Sequence, residues 1–273
     1  MMQKTFILGL GAPKSGSTWL FRYIDALPVS NMGCRKEYRI WPGKFSGAPL
    51  KSQFNFRRLV RLKHGIIPVP DRAQFVRLNM IARDGYYERY FAGLLSADVW
   101  MTGDISPGYM TLGADRLREI RARLEKAGFR VKVTFLMRDP VERCWSGARM
   151  RKRNGDKGFE GLSDEAAVQA IYKTEGVADR TRYDRTIAGI EAVFDPEDVF
   201  MSLYEELFTP AQVDRLSAFL GVPANHDMIS QRFNQTRRDG DLDPELVSEI
   251  KAHFHSVYEV CNARFPQTKE LWI

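Results

Sequence analysis

A chain of 273 residues that is 44% hydrophobic and 27% charged has enough apolar surface for a substantial core, and its composition excludes a disordered or collagen-like protein. The net charge of +7 suits an anionic ligand, a nucleic acid or a membrane surface, and composition alone does not choose among them. No apolar stretch approaches the ~20 residues of a membrane span, and Cys34, Cys144 and Cys261 are too few and too scattered for a disulfide framework or a zinc cluster.

In chain order, Thr5–Leu10 is a nearly continuous apolar run, as in a strand buried on both faces of a parallel sheet. GAPKSGSTWLF follows, and Ser17–Ala26 reads as a helix that Pro28 ends. Residues 34–41 (CRKEYRIW) are polar and aromatic. Residues 42–70 are rich in chain breakers, with QFNFRRLVRLKHG among them as a candidate basic helix. Asp71–Leu95 reads as one helix capped by Asp71. Val99–Thr102 is a second candidate strand, ending in GDISPGYM, and Ala114–Lys126 is a charged helix stopped by Gly128.

Phe129–Met137 has the pattern of a core strand, and Pro140 stands where a helix begins. Further helices are expected over Asp164–Thr174, Tyr183–Val193, Pro210–Leu220 and Pro244–Asn262, with a strand at Val199–Leu203. Strands alternate with helices, and no repeat or linker divides the chain. The expectation is a single α/β domain over 1–273 with a central parallel sheet flanked by helices. The N-terminus lacks a long apolar core and a cleavage site, so a soluble, cytoplasmic protein is expected.

Two segments look built for anions. In the first, a helix N-terminus with free N–H groups follows Gly16, with Lys14, Ser15, Ser17 and Thr18 around it. The nucleotide loop of ATP enzymes needs Gly-Lys followed by Ser or Thr. Here the lysine precedes the glycine, so Ser17 is not placed as a magnesium ligand. A turn of incidental polarity is the plainer reading of such a loop, but its position, lysine, glycine and hydroxyls coincide. Trp19, on the first helical turn, is either a stacking surface for a base or ordinary core.

The second segment is RDPVERCWS, Arg138 to Ser146. Arg138 ends a strand, where open α/β sheets place ligands, and Ser146 lies about two helical turns beyond Pro140. A guanidinium and a hydroxyl on one crevice suit a second phosphate. Taken alone, Arg138 could equally pair with Glu142 on the surface.

Together, PKSGSTWL and RDPVERCWS resemble the two nucleotide segments of the sulfotransferase superfamily, whose donor is 3′-phosphoadenosine 5′-phosphosulfate (PAPS). VFMSLYEELFTPAQVDRLSAFLGV is similar to that family's later strand, Tyr-Glu pair and helix. The resemblance implies the P-loop-like sulfotransferase fold and transfer of a sulfuryl group to a hydroxyl or amine, with release of PAP.

It also implies roles for residues. Lys14, Ser15, Gly16, Ser17, Thr18 and Trp19 would hold the 5′ end of PAPS, and Arg138 and Ser146 the 3′-phosphate. Tyr204 would lie near the nucleotide. Arg237 and Arg238 in NQTRRDGD resemble a basic loop that reaches the same phosphate, a solvated loop being the other reading. Lys14 would stabilise the leaving oxygen. Lys36-Glu37 matches a pair in which the glutamate is the base, and Asp104 is held as a reserve base. No metal is required.

The acceptor, a small molecule, lipid or saccharide, is not legible, and residues 42–83 are expected to border its pocket. Two rival readings are an ATP-dependent kinase-like phosphotransferase and a basic nucleic-acid-binding protein using RRLVRLKHG and RMRKR.

Overall fold

The computed structural model describes residues 2–47, 60–63, 67–231, 233 and 240–272. Its centre is a four-stranded, all-parallel sheet. The strands are β1 (Thr5–Gly11), β4 (Met101–Ile105), β5 (Arg130–Met137) and β6 (Val199–Leu203), in the spatial order β4-β1-β5-β6. A separate antiparallel hairpin pairs β2 (Val60–Lys63) with β3 (Ile67–Pro70). Val60–Lys63 is extended, so the basic helix expected over QFNFRRLVRLKHG does not include these residues; the rest of that run lies outside the described residues.

Alternation along the strands explains the layering. Phe6, Leu8 and Leu10 of β1 enter one apolar cluster while Ile7 enters the other. On β5, Val131, Val133, Phe135 and Met137 face the first cluster and Leu136 the second. Side chains two apart share a face, so a strand apolar at successive positions must be covered on both sides.

The helices α1 (Ser17–Asp25) and α10 (Pro210–Leu220) cover one face through Trp19, Leu20, Ile24, Val213 and Leu216. The other face takes α3 (Arg72–Ala82), α4 (Tyr86–Ala92), α5 (Ala114–Lys126), α6 (Pro140–Asn154), α9 (Tyr183–Glu191) and the C-terminal pair α11 (Pro244–His253) and α12 (His255–Arg264). Phe6 sits among Phe91, Phe129 and Tyr87, with ring centroids 5.0, 5.6 and 5.9 Å away. Burying one such ring is worth about 2–3 kcal/mol.

Several elements are shorter than the sequence pattern suggests. The helix expected over Asp71–Leu95 is broken between α3 and α4, where Gly85 takes a φ of 68°. Asp71 caps α3 as expected, accepting from the N–H groups of Ala73 and Gln74. The run Pro244–Asn262 is interrupted at Phe254. Asp164–Thr174 resolves into α7 (Asp164–Gln169) and a turn ahead of α8 (Glu175–Ala178). One short helix, α2 (Trp41–Ser46), lies in the breaker-rich stretch. No helix among the described residues is long and apolar enough to cross a membrane.

The second strand also differs. It runs Met101–Ile105 rather than Val99–Thr102, so Gly103 and Asp104 are strand residues and fully paired with β1. A Cβ at Gly103 would collide with the backbone of Ile7, so glycine permits the close register.

Candidate active site

The C-terminal ends of β1, β4, β5 and β6 open into a cavity of about 970 Å³. This is the edge at which open parallel sheets hold their ligands. The loop from Ala12 to Gly16 forms its floor. Gly16 caps α1 with a φ of 92°, and a Cβ there would press against Leu207 and approach Tyr204 to 3.3 Å. Only glycine tolerates both constraints. The first helical N–H to bond backwards is that of Leu20, to the Gly16 carbonyl (3.1 Å), so those of Ser17, Thr18 and Trp19 precede the intrahelical ladder.

Lys14 lines this floor. Burial lowers its pKa to about 8, aided by the positive charges of Arg153, Arg138, Arg149 and Lys36. Lys36 reaches back over the helix start. Its Nζ donates to Thr18 Oγ1 at 2.8 Å, to Ser17 Oγ at 3.4 Å and to Glu37 Oε1 at 2.9 Å. A hydroxyl that accepts from an ammonium still has its own proton to donate, so this arrangement aims Ser17 and Thr18 as donors to an anion.

Arg138 stands at the end of β5. Its guanidinium lies 4.5 Å from the Tyr204 ring centroid, donates to Glu142 Oε2 at 2.7 Å and approaches the Lys14 carbonyl at 3.4 Å. Its Nε is buried with no hydrogen-bond partner among the described residues. The pair with Glu142 is thus real, and Arg138 still lines the cavity. Ser146 shares the cavity wall with Arg149 and Arg153, which follow it on α6 at helical spacing. These arginines were hidden in RMRKR, which reads as a solvated helix end. Their positions three and seven residues beyond Ser146 are the signal that places them on its face.

Tyr204, Phe208 and Phe233 form an aromatic wall with Trp19. Trp19 is 2% exposed, stacks on Tyr23 at 5.2 Å and donates its indole N–H to the Met228 carbonyl at 2.8 Å. Most of its ring is core, so the broad stacking surface comes from Tyr204 and Phe208.

Glu37 faces the same cavity. Its carboxylate bridges Lys36 and Arg39, whose Nε lies 2.8 Å from Oε2. Burial works against the charge, but Lys36 and Arg39 outweigh it and hold the carboxyl below its ordinary range. It is therefore an ionised acceptor of protons at neutral pH.

Two of the expected site residues do not reach the cavity. Ser15 is fully buried, and its N–H is turned back to the Ala12 carbonyl at 3.3 Å, so it supports the loop from behind. Asp104 is also fully buried. It accepts from Ser106 Oγ and Tyr109 OH at 2.6 Å, from Tyr87 OH at 3.1 Å and from the Tyr38 N–H at 3.3 Å. Burial raises its pKa to about 6 against the pull of those four donors. Arg237 and Arg238 lie outside the described residues.

The Asp104 cluster has a positional consequence. Three successive backbone N–H groups are held by side chains of one segment: Tyr38 by Asp104, Arg39 by Ser106 at 3.0 Å and Ile40 by Tyr109 at 2.9 Å. Glu37 stands at the head of this clamp. Asp104→Ala strands four buried donors at once and is expected to cost about 3–5 kcal/mol, seen as a large fall in the thermal midpoint. A fall of less than about 1 kcal/mol would show that the cluster does not hold the segment.

No group of three or more potential metal ligands occurs among the described residues. No protein-family model matches the chain, and no curated protein matches it in sequence. Solved structures do. A sulfotransferase from Alicyclobacillus acidocaldarius has a TM-score of 0.59 and 21% identity over 96% of each chain. A sulfotransferase domain from the curacin biosynthetic pathway gives 0.54 and 18%, over 95% of this chain and 97% of that one. A mouse sulfotransferase complexed with PAP gives 0.50 and 13%, over 93% and 84%. The chain has the fold of these sulfotransferases, as the order of its motifs implies.

Proposed function

We propose that this protein moves the sulfuryl group of PAPS to a hydroxyl or amine of an acceptor and releases PAP. The observation that carries this reading is the joining of two cationic sites in one cavity. Lys14 and the start of α1 lie at one, and Arg138 and Ser146 at the other, with an aromatic wall beside them. A nucleotide with a charged group at both its 5′ and 3′ positions suits such a pair of sites. The buried Arg138 Nε, left without a partner, fits a phosphate oxygen. The sulfotransferase fold supports the same reading.

The chemistry needs positioning and charge more than a covalent intermediate. The acceptor oxygen forms a bond to sulfur as the bond from sulfur to the bridging oxygen breaks. The electron pair of that bond stays on the 5′-phosphate of PAP, beside Lys14. The acceptor proton passes to Glu37. Asp104 has both oxygens engaged in the interior, so we assign it to positioning of the 37–40 segment rather than to proton transfer.

Glu37, Arg39, Pro42, Pro107, Gly108 and Arg180 line the cavity as well, and we assign them to the acceptor end. Pro42 opens the 42–83 segment, in keeping with that segment bordering the pocket.

Thermal-shift titration tests the donor. PAP is expected to stabilise the protein strongly without magnesium, by about 3–4 kcal/mol at a thousandfold excess over its Kd. Stabilisation by ATP–magnesium and not by PAP would replace this reading with a phosphotransferase.

A further inference from the structure

We propose that the acceptor carries an oxyanion, a carboxylate or a phosphate, on the same molecule as its reacting hydroxyl, and that Arg180 receives it. This rests on PAPS occupying the other end of the cavity.

Charge balance leads there. Among the described residues, seven cationic side chains line the cavity, Lys14, Lys36, Arg39, Arg138 and Arg180 among them, against one lining carboxylate, Glu37. Glu142, just outside, neutralises Arg138 in part. PAPS brings about four negative charges, roughly two on its 3′-phosphate and two across the phosphosulfate. The lining stays cationic even when Glu37 and Glu142 are counted.

Beside the paired Lys36 and Arg39, Arg180 stands on the cavity wall unengaged. Arg39 is committed to Glu37, and Lys36 to Glu37 and Thr18. Arg180 makes no hydrogen bond or ion pair among the described residues. Burial and the positive charges of Arg143, Arg39 and Arg151 all act against its own charge, with only Asp179 in its favour. A guanidinium held among guanidinia at the wall of a cavity is a receptor for an anion.

Its backbone is fixed for that task. Arg180 sits in the short turn Asp179–Thr181, which packs on the turn Pro107–Thr111 of the acceptor end. Behind it, the buried Arg143 donates to Thr181 Oγ1 at 3.0 Å and to the Val177 carbonyl at 2.7 Å. A buried charge is thus spent on holding a loop whose exposed neighbour faces the cavity. The loop is set before the ligand arrives, which limits the entropy lost on binding.

The test uses the PAP-saturated protein, titrated calorimetrically with para-hydroxybenzoate, with its neutral amide para-hydroxybenzamide and with inorganic phosphate. The wild type is expected to bind the acid at least about tenfold more tightly than the amide. Arg180→Ala should reduce that preference to within about twofold, Arg180→Lys should keep most of it, and PAP affinity should change little in either. Phosphate that displaces the acid assigns the subsite to phosphate as well, and acid binding without phosphate binding assigns it to carboxylates. Three results overturn the proposal: no saturable binding of either anion to the PAP-loaded wild type, equal affinity for acid and amide, or a preference that survives Arg180→Ala. Failure of the wild type to bind PAP at all is read separately, in the absence of any acceptor, and removes the donor assignment together with this one.

Discussion

Replacing Glu37 with glutamine is expected to lower sulfuryl transfer by about 10²–10⁴-fold while PAP affinity stays within about threefold. Glutamine keeps the shape of the side chain and removes the acceptor of the proton. Glu37 lies in the cavity, ionised, one residue from the lysine that holds Thr18. Its pairing with Lys36 and Arg39 keeps it charged below the ordinary carboxylate range, so the acid limb of the rate profile should fall at a pH below that of a normal glutamate. The same pairing orients the carboxylate, since two cations grip it from both sides. Steady-state kinetics beside PAP calorimetry gives the answer. Near-normal turnover of Glu37→Gln would remove it as the base, and with Asp104 sealed in the interior the proton would have to leave to solvent.

Replacing Lys14 with methionine is expected to lower kcat/KM by about 10²–10³-fold, the loss typical of one preorganised donor at a developing oxyanion. The pH dependence makes the assignment specific. With its pKa lowered to about 8, Lys14 is charged at neutrality and loses its proton as the pH passes that value. The wild-type kcat/KM should therefore decline above about pH 8. The kcat, measured with the anionic donor bound, should hold to higher pH, because the donor favours the charged form. Lys14→Met should lack this alkaline limb.

The sign of the stability effect is also fixed. The folded pKa lies below the ordinary lysine value of 10.5, so at pH 7 the folded state holds a proton on Lys14 at a cost. That penalty is fully present below about pH 8 and relieved as Lys14 deprotonates above it. Lys14→Met should thus raise the thermal midpoint of the ligand-free protein at pH 7 while lowering activity. A lowered midpoint, or an alkaline limb unchanged by the substitution, would contradict the role given to this lysine.

The two anion segments were legible for a physical reason. Buried parallel strands are written as apolar runs, and the loops after them keep residue types that a backbone cradle requires. Lys14, Gly16, Arg138 and Ser146 could therefore be found without coordinates, and the cavity brings them together. The burial of Ser15 was not legible, because a hydroxyl in a polar stretch does not declare whether it faces a ligand or the core. The surroundings of Asp104 were not legible for a deeper reason. Its burial depends on donors from Tyr38, Tyr87 and Tyr109, which no local pattern joins to TGDIS. Arg180 lies in ADRTRY, a stretch with no motif. Its place on the cavity follows only from the way Arg143 ties that turn to α6.

The backbone clamp on residues 38–40 ties Glu37 to two supports at once. Tyr38, Arg39 and Ile40 hang by their N–H groups from β4 and the turn that follows it, while the Tyr38 carbonyl accepts from Arg77 of the 42–83 segment at 3.0 Å. A rearrangement downstream of Pro42 therefore reaches Glu37 through Arg77, and any exchange of that segment has to keep this arginine in place if the carboxylate is to keep its position.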